Sequence, residues 1–245
     1  MLFLMLYLIN NKMARNEFLK LGISSLGLMT VTPMIIACKS SSLEVEPATD
    51  STNGSSSSDC VVNPSDTAEP FPTKDSASYV IKDIKAGETG VNMIANIYIK
   101  NKNTGCGALQ GGIVDIWHCD ADGNYSEYRS LTFSNFLRGR QTTDANGLVS
   151  FTTIFPGWYS ERAVLIHVHV FNASGKSLLV TQIAFPATVC DTVFTTATWF
   201  YKRGKADASN EREGIFNDGY ANQLASVRGD ITNGMIMNHN IFVNG

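Results

Sequence analysis

From Ser76 onward the chain is written in short apolar runs, each closed by a turn signal, and that rhythm restricts the fold more than any other feature. Tyr79–Ile81 and Val91–Ile99 are β-branched and aromatic, Gly111–Trp117 reads as a buried strand, and Leu148–Thr153 as another. Turns fall at Asp120-Ala121-Asp122-Gly123, Asp144-Ala145-Asn146-Gly147 and Pro156-Gly157. Ala163–Phe171 and Leu178–Ala184 predict a hairpin around Asn172–Lys176. Val227–Ile231 and Met235–Val243 predict a closing hairpin around Thr232-Asn233-Gly234. No stretch after Cys60 carries sustained helical periodicity, apart from a short one near Gly219–Ala225. Strands at this spacing predict an all-β domain, a sandwich of mixed and antiparallel strands with long loops, and no internal repeat is visible. A chain of 245 residues accommodates such a sandwich as a single domain.

The one long apolar run, Leu21–Ile36, lies near the start and excludes a multi-span membrane protein. It follows a polar segment with Arg15 and Lys20, as an export signal does. Arg15-Asn16-Glu17-Phe18-Leu19-Lys20 is similar to a twin-arginine signal with a single Arg, so the twin-arginine and general routes both stay open. Ile35-Ile36-Ala37-Cys38 resembles a bacterial lipobox. Residues 1–37 are therefore expected to be a lipoprotein signal, with Cys38 lipidated as a membrane anchor. An ordinary cleaved signal or a single-span anchor are the alternatives. Residues 38–59, rich in Ser, Thr, Asn and Gly, predict a flexible tether, and residues 60–245 the folded domain.

Charge is modest, 19 Lys+Arg against 22 Asp+Glu, which argues against a nucleic-acid partner. Beyond Cys38 four cysteines remain: Cys60, Cys106, Cys119 and Cys190. In an exported chain an even count predicts two disulfides, and three pairings stand open. No CxxC spacing points to zinc.

Histidine is scarce, with His118, His167, His169 and His239 making up the whole set. In Leu165-Ile166-His167-Val168-His169-Val170, alternation puts Leu165, His167 and His169 on one face and the β-branched residues on the core face. Two imidazoles on one strand face can converge on a metal. Surface histidines are the commoner outcome of such a pattern.

The neighbouring segments change that balance. Asp115-Ile116-Trp117-His118-Cys119-Asp120-Ala121-Asp122-Gly123-Asn124-Tyr125 resembles the intradiol ring-cleavage dioxygenases. So do Phe136-Leu137-Arg138-Gly139, Thr142-Thr143-Asp144-Ala145-Asn146-Gly147 and Phe151-Thr152-Thr153-Ile154-Phe155-Pro156-Gly157-Trp158-Tyr159. Thr181-Gln182 and Glu213-Gly214-Ile215-Phe216 complete the ordered series. The similarity runs from about Cys60 to the C-terminus and is strongest to the short, exported, single-domain branch.

The resemblance implies a non-haem Fe(III) held by two tyrosines and two histidines, and cleavage of catechol-type aromatics by O2. Tyr125 and Tyr159 fall at the tyrosine positions, and hard phenolates suit ferric iron. Arg162 falls at an arginine that stabilises charge on the ring, and Gln182 at a residue that orients substrate or oxygen. Tyr159 is also expected to take a substrate proton. The first histidine should follow Arg162 by three residues, where this chain has Leu165, and the second falls on His167.

Two registers follow. In the first and favoured one, Tyr125, Tyr159 and His167 remain as ligands and Leu165 occupies the missing position. In the second, the strand has slipped by two residues and His167 and His169 form the pair, which would move Arg162 and Gln182 off their stations. His118 is expected to pack or to support the site, and His239 to be structural. An alternative function is a lipid-anchored β-sandwich binding or structural module without metal.

Overall fold

The structure, a computed structural model, describes residues 60–216 and 219–245. The signal at 1–37, the tether at 38–59 and Cys38 lie outside the described residues.

Alternation decides the sheets. β1 (Asn92–Asn101) buries every second side chain, placing Met93, Ala95, Ile97 and Ile99 inward. On one side it pairs in parallel with β9 (Gly234–Val243), whose Met235, Met237, Ile241 and Val243 continue that inner face. On its other side it pairs antiparallel with β2 (Gly107–Ala108) and β5 (Leu148–Ile154). β8 (Ser226–Asp230) closes the far edge against β9. The second sheet runs β4 (Arg138–Thr142), β3 (Ile113–Trp117), β6 (Leu165–Phe171), β7 (Ser177–Ala184), all antiparallel. Its inner face presents Val114, Ile116, Ile166, Val168, Val170, Leu179 and Ile183 to the first sheet, forming one continuous apolar core. The result is the expected all-β sandwich, and both expected hairpins form at β6–β7 and β8–β9.

Two expectations are corrected. A helix, α1 (Ala187–Thr196), follows β7 where none was expected. Thr188, Val189, Thr192, Val193, Thr195 and Thr196 are β-branched, a composition that lowers helix propensity. Burial of Cys190, Val193 and Phe194 on one helical face overrides it. The stretch near Gly219–Ala225 forms only a single 3-10 turn, Ala221–Gln223.

The cysteines are the second correction. One disulfide joins Cys60 to Cys106, while Cys119 and Cys190 are free and buried. They lie in different parts of the interior, Cys119 beside Trp117 and Tyr125 and Cys190 on α1. Burial pushes both thiols up, Cys190 to about 12. Neither therefore presents a thiolate at neutral pH. Thiol titration of the native domain, residues 60–245, should find no reactive cysteine, and denaturation without reductant should release two. Release of none would mean that a second bridge forms.

Candidate metal and substrate site

The site grows from one row across the outer face of the second sheet. Register places Arg138 on β4, Trp117 on β3, His167 on β6 and Gln182 on β7 side by side. Trp117 stacks flat on the His167 ring, with centroids 4.8 Å apart and planes 1° from parallel. His167 is fully buried, and neither ring nitrogen has a hydrogen-bond partner. A buried imidazole without partners is costly. Burial first, and then the charges of Arg162 and Arg138, hold it well below its ordinary range, so its lone pair is free of a proton.

Two loops bring tyrosines to this imidazole. Tyr125 ends the turn after β3, with its ring centroid 6.0 Å from that of His167. Tyr159 ends the Pro-Gly turn after β5, with its centroid 6.1 Å from that of Tyr125. The loops meet backbone to backbone at two glycines. A Cβ on Gly157 would stand 2.2 Å from the Asp120 carbonyl oxygen, and one on Gly123, whose φ is +85°, 2.3 Å from that of Trp158. The Gly157 N–H donates to the Asp120 carbonyl at 3.2 Å. Only glycine permits this approach, which explains physically why each tyrosine trails a glycine turn. Gly157→Ala should force the loops apart, destabilise the domain by about 1–3 kcal/mol as an overpacked backbone contact, and abolish any property that needs both tyrosines together. Unchanged thermal unfolding of that variant would show that the contact is slack.

Tyr125 is buried, and burial pushes its phenol well up. Tyr159 is more open and accepts a hydrogen bond from Arg129 at 2.6 Å. Phe71 covers both rings, at 4.8 Å from Tyr125 and 5.3 Å from Tyr159. A pocket of about 50 Å³ remains among Phe71, Tyr125, Tyr128, Arg129 and Tyr159.

Arg162 donates to Gln182 Oε1 at 2.9 Å and to Glu213 at 2.8 Å. Glu213, 2% exposed, also accepts from the Ala163 N–H at 2.7 Å and so fixes the start of β6. The Gln182 N–H donates to Asp66 at 3.1 Å, part of the segment that covers this face. Arg162 and Gln182 thus stand together beside His167.

Leu165 lies one residue pair nearer the start of β6, opposite Ala184. It is buried among Ala163, Ala184 and Phe216, with Ile215 and Tyr220 packed against them. His169 lies one row the other way, opposite Asp115 on β3. Its Nε2 is 2.8 Å from Ser177 Oγ and its ring stacks on Phe171 at 3.9 Å. His118 is buried between the Cys119 carbonyl and the Thr153 hydroxyl, at 2.8 and 2.7 Å, and burial pushes it down to about 4. His239 is buried on β9.

Trp117, Arg138 and Glu213 stood within the motifs of the sequence analysis but were given no role there, and Phe71 and Arg129 were not among them. Trp117 shares the face of Asp115 by strand alternation, so a β3–β6 pairing would have put it against His167. Phe71 and Arg129 sit in loops and gave no periodic signal.

The donor set suits a ferric ion at three positions. By donor type two phenols and one partnerless imidazole fit such an ion, with the Tyr125 ring in contact with both Tyr159 and His167, and Leu165 has no atom to donate. Among the described residues no group of three or more His, Cys, Asp or Glu side chains offers another metal site.

The sequence profile of a family described as Dioxygenase (Dioxygenase_C) matches residues 72–198, just over half of the chain. A chlorocatechol 1,2-dioxygenase of Rhodococcus opacus is 30% identical over a stretch that covers 31% of this chain and 37% of that enzyme. The chain therefore matches little more than a third of the length of that curated relative. Among solved structures, an intradiol ring-cleavage dioxygenase from Tetranychus urticae superposes with a TM-score of 0.65 at 24% identity, covering 76% of this chain and 95% of that one. A 3-chlorocatechol 1,2-dioxygenase from Rhodococcus opacus gives 0.53 at 17% identity, covering 76% and 74%. These superpositions concern the fold, and the profile match concerns the family. The chain belongs to the intradiol ring-cleavage dioxygenase family.

Proposed function

We propose that this protein is an exported intradiol dioxygenase, anchored through Cys38, that opens catechol-type aromatic rings with O2, and that Leu165 weakens its hold on iron. The observation that carries this reading is the buried His167, without a hydrogen-bond partner, beside Tyr125, which in turn meets Tyr159 across two loops locked together by glycines.

Tyr125, Tyr159 and His167 would hold a non-haem Fe(III). When bound, such an ion draws electron density from a catecholate and makes its ring reactive toward O2. The protein's own groups do the rest. Tyr159, the more open phenol, takes a substrate proton, and Arg129 holds its oxygen in place with a hydrogen bond of 2.6 Å. Arg162 places a guanidinium where negative charge builds on the ring. Glu213 and Gln182 hold that guanidinium in one orientation. Phe71 and Trp117 exclude water from the imidazole side.

The test is a titration of the purified protein with ferric iron, followed by catechol and O2. Visible ferric-tyrosinate absorption and a ring-opened muconic-type diacid are expected, both lost in Tyr159→Phe and His167→Ala. The apolar packing of Leu165 against Ala163, Ala184 and Phe216 favours a second reading, a binding or structural module without metal. No colour and no ring opening at saturating iron would establish that reading in place of the first.

A further inference from the structure

The outer face of the first sheet carries a feature that ring cleavage does not use. Between the rows that carry Lys100 and Arg228, this face presents a row of amides and hydroxyls. Ser150 on β5, Asn96 on β1, Asn238 on β9 and Ser226 on β8 stand in one register row. Ser150 Oγ donates to Asn96 Oδ1 at 2.8 Å, and Asn96 Nδ2 donates to Asn238 Oδ1 at 3.1 Å. The row thus fixes the Asn238 carboxamide by its oxygen and leaves its NH2 pointing onward as a donor.

Beside this row opens a cleft of about 330 Å³, far larger than the pocket at the tyrosines. Tyr98, Asn222, Asn238, Asn240, Phe242 and His239 line it, and no Asp, Glu, Lys or Arg does. His239 borders it from the buried face of β9, beside Met237 and Ile241, and is 7% exposed. Burial pushes its ring down to about 4, so it adds no charge to the cleft.

The wall is held in place. Asn63 donates its N–H to the Phe242 carbonyl at 3.1 Å, accepts from the Phe242 N–H at 2.8 Å, and donates its amide to the Asn222 carbonyl at 2.6 Å. Val61, also on the wall, neighbours Cys60, which the disulfide ties to Cys106.

We infer that this cleft binds a neutral saccharide unit. Because no charged side chain lines the cleft, an anion or a cation would lose its hydration without a counter-ion in the wall. A purely apolar ligand would strip water from three carboxamides and return no hydrogen bonds. A sugar ring meets both demands. Its adjacent hydroxyls donate and accept as a carboxamide does, and its C–H face packs on aromatic rings such as Tyr98 and Phe242, whose π faces carry negative charge. The cleft volume falls at the lower end of the range for small-molecule sites. None of the lining residues belongs to the tyrosine–histidine site, so the inference stands whether or not iron binds there.

The test is calorimetric titration of the full chain with cellobiose, xylobiose and maltose, and with glucuronic acid as the charged counterpart. At least one neutral disaccharide should bind saturably with a Kd of about 10 mM or tighter, and glucuronic acid should bind more weakly. Asn240→Ala, at an exposed position that the fold does not need, should weaken binding at least about tenfold, as should Tyr98→Ala. Both variants should keep the iron-dependent colour of the parent. No saturation by any of the disaccharides up to about 50 mM would overturn the inference, as would binding untouched by both substitutions. Self-association of the chain through this face, abolished by Asn240→Ala, would overturn it in favour of a subunit contact.

Discussion

On the reading proposed above, in which Tyr125, Tyr159 and His167 hold iron, Leu165→His should strengthen that hold. Leu165 and His167 sit two residues apart on the same face of β6, about 6.6 Å along the strand, and Arg162 precedes Leu165 by three. The Leu165 side chain is sealed by Ala163, Ala184 and Phe216, none of which can satisfy an imidazole. Without metal, the variant therefore buries a polar group without a partner and should lose about 1–3 kcal/mol of stability. With ferric iron, a fourth donor completes the set formed by Tyr125, Tyr159 and His167. Affinity should rise at least about tenfold, which is about 1.4 kcal/mol. The two effects have opposite signs, so the variant should melt below the parent without iron and recover with it, and visible colour should grow in step. One result would defeat this expectation: a parent protein already saturated with iron and brisk on catechol, losing both in His169→Ala. That would make His167 and His169 the ligand pair. His169 would then have to leave Ser177 and Phe171, where it now lies.

Local pattern carried much of the fold and stopped where contacts became distant. Alternation in Leu165–Val170 assigned both faces of β6, because a period of two is written in consecutive residues. The hairpins were legible because Asn172–Lys176 and Thr232-Asn233-Gly234 are turn chemistry between apolar runs. The parallel pairing of β1 with β9 was not legible, since its partners lie more than a hundred residues apart and neither strand differs in composition from an antiparallel one. α1 was hidden by its β-branched residues, whose propensity burial overrides. The cysteine count could not say that Cys119 and Cys190 sit in separate parts of the interior, because pairing depends on the distance between folded Cα positions. At the site, motif spacing supplied Tyr125, Tyr159, His167, Arg162 and Gln182. It could not supply Phe71, which reaches the tyrosines from a segment outside every strand, or the charge that Arg138 brings beneath them.

Arg138→Met should be the most damaging single change near the site, although Arg138 touches neither tyrosine hydroxyl. Its side chain is 1% exposed, and it is among the largest fully buried residues in the domain. It donates to Ser126 Oγ at 2.9 Å, to the Ser126 carbonyl at 2.7 Å, to the Phe71 carbonyl at 2.9 Å and to Thr73 Oγ1 at 3.0 Å. It also lies 3.4 Å from Glu127, which is itself buried and accepts from Tyr79 and from the Lys74 N–H. One guanidinium therefore ties the Phe71 segment to the loop that follows Tyr125. Methionine fills much of the same volume but supplies no donors, so Glu127 and two carbonyls lose a buried partner at once. Removing one member of a buried ion pair costs about 3–5 kcal/mol, because the remaining charge stays buried. Arg138→Met should accordingly lose that much stability and, through Phe71, the close covering of Tyr125 and Tyr159. The paired change Arg138→Met with Glu127→Gln removes the stranded charge and should recover part of the loss. The cycle separates charge from packing. If the single and double variants are equally destabilised, the hydrogen bonds to Ser126, Phe71 and Thr73 carry the effect and the ion pair with Glu127 does not.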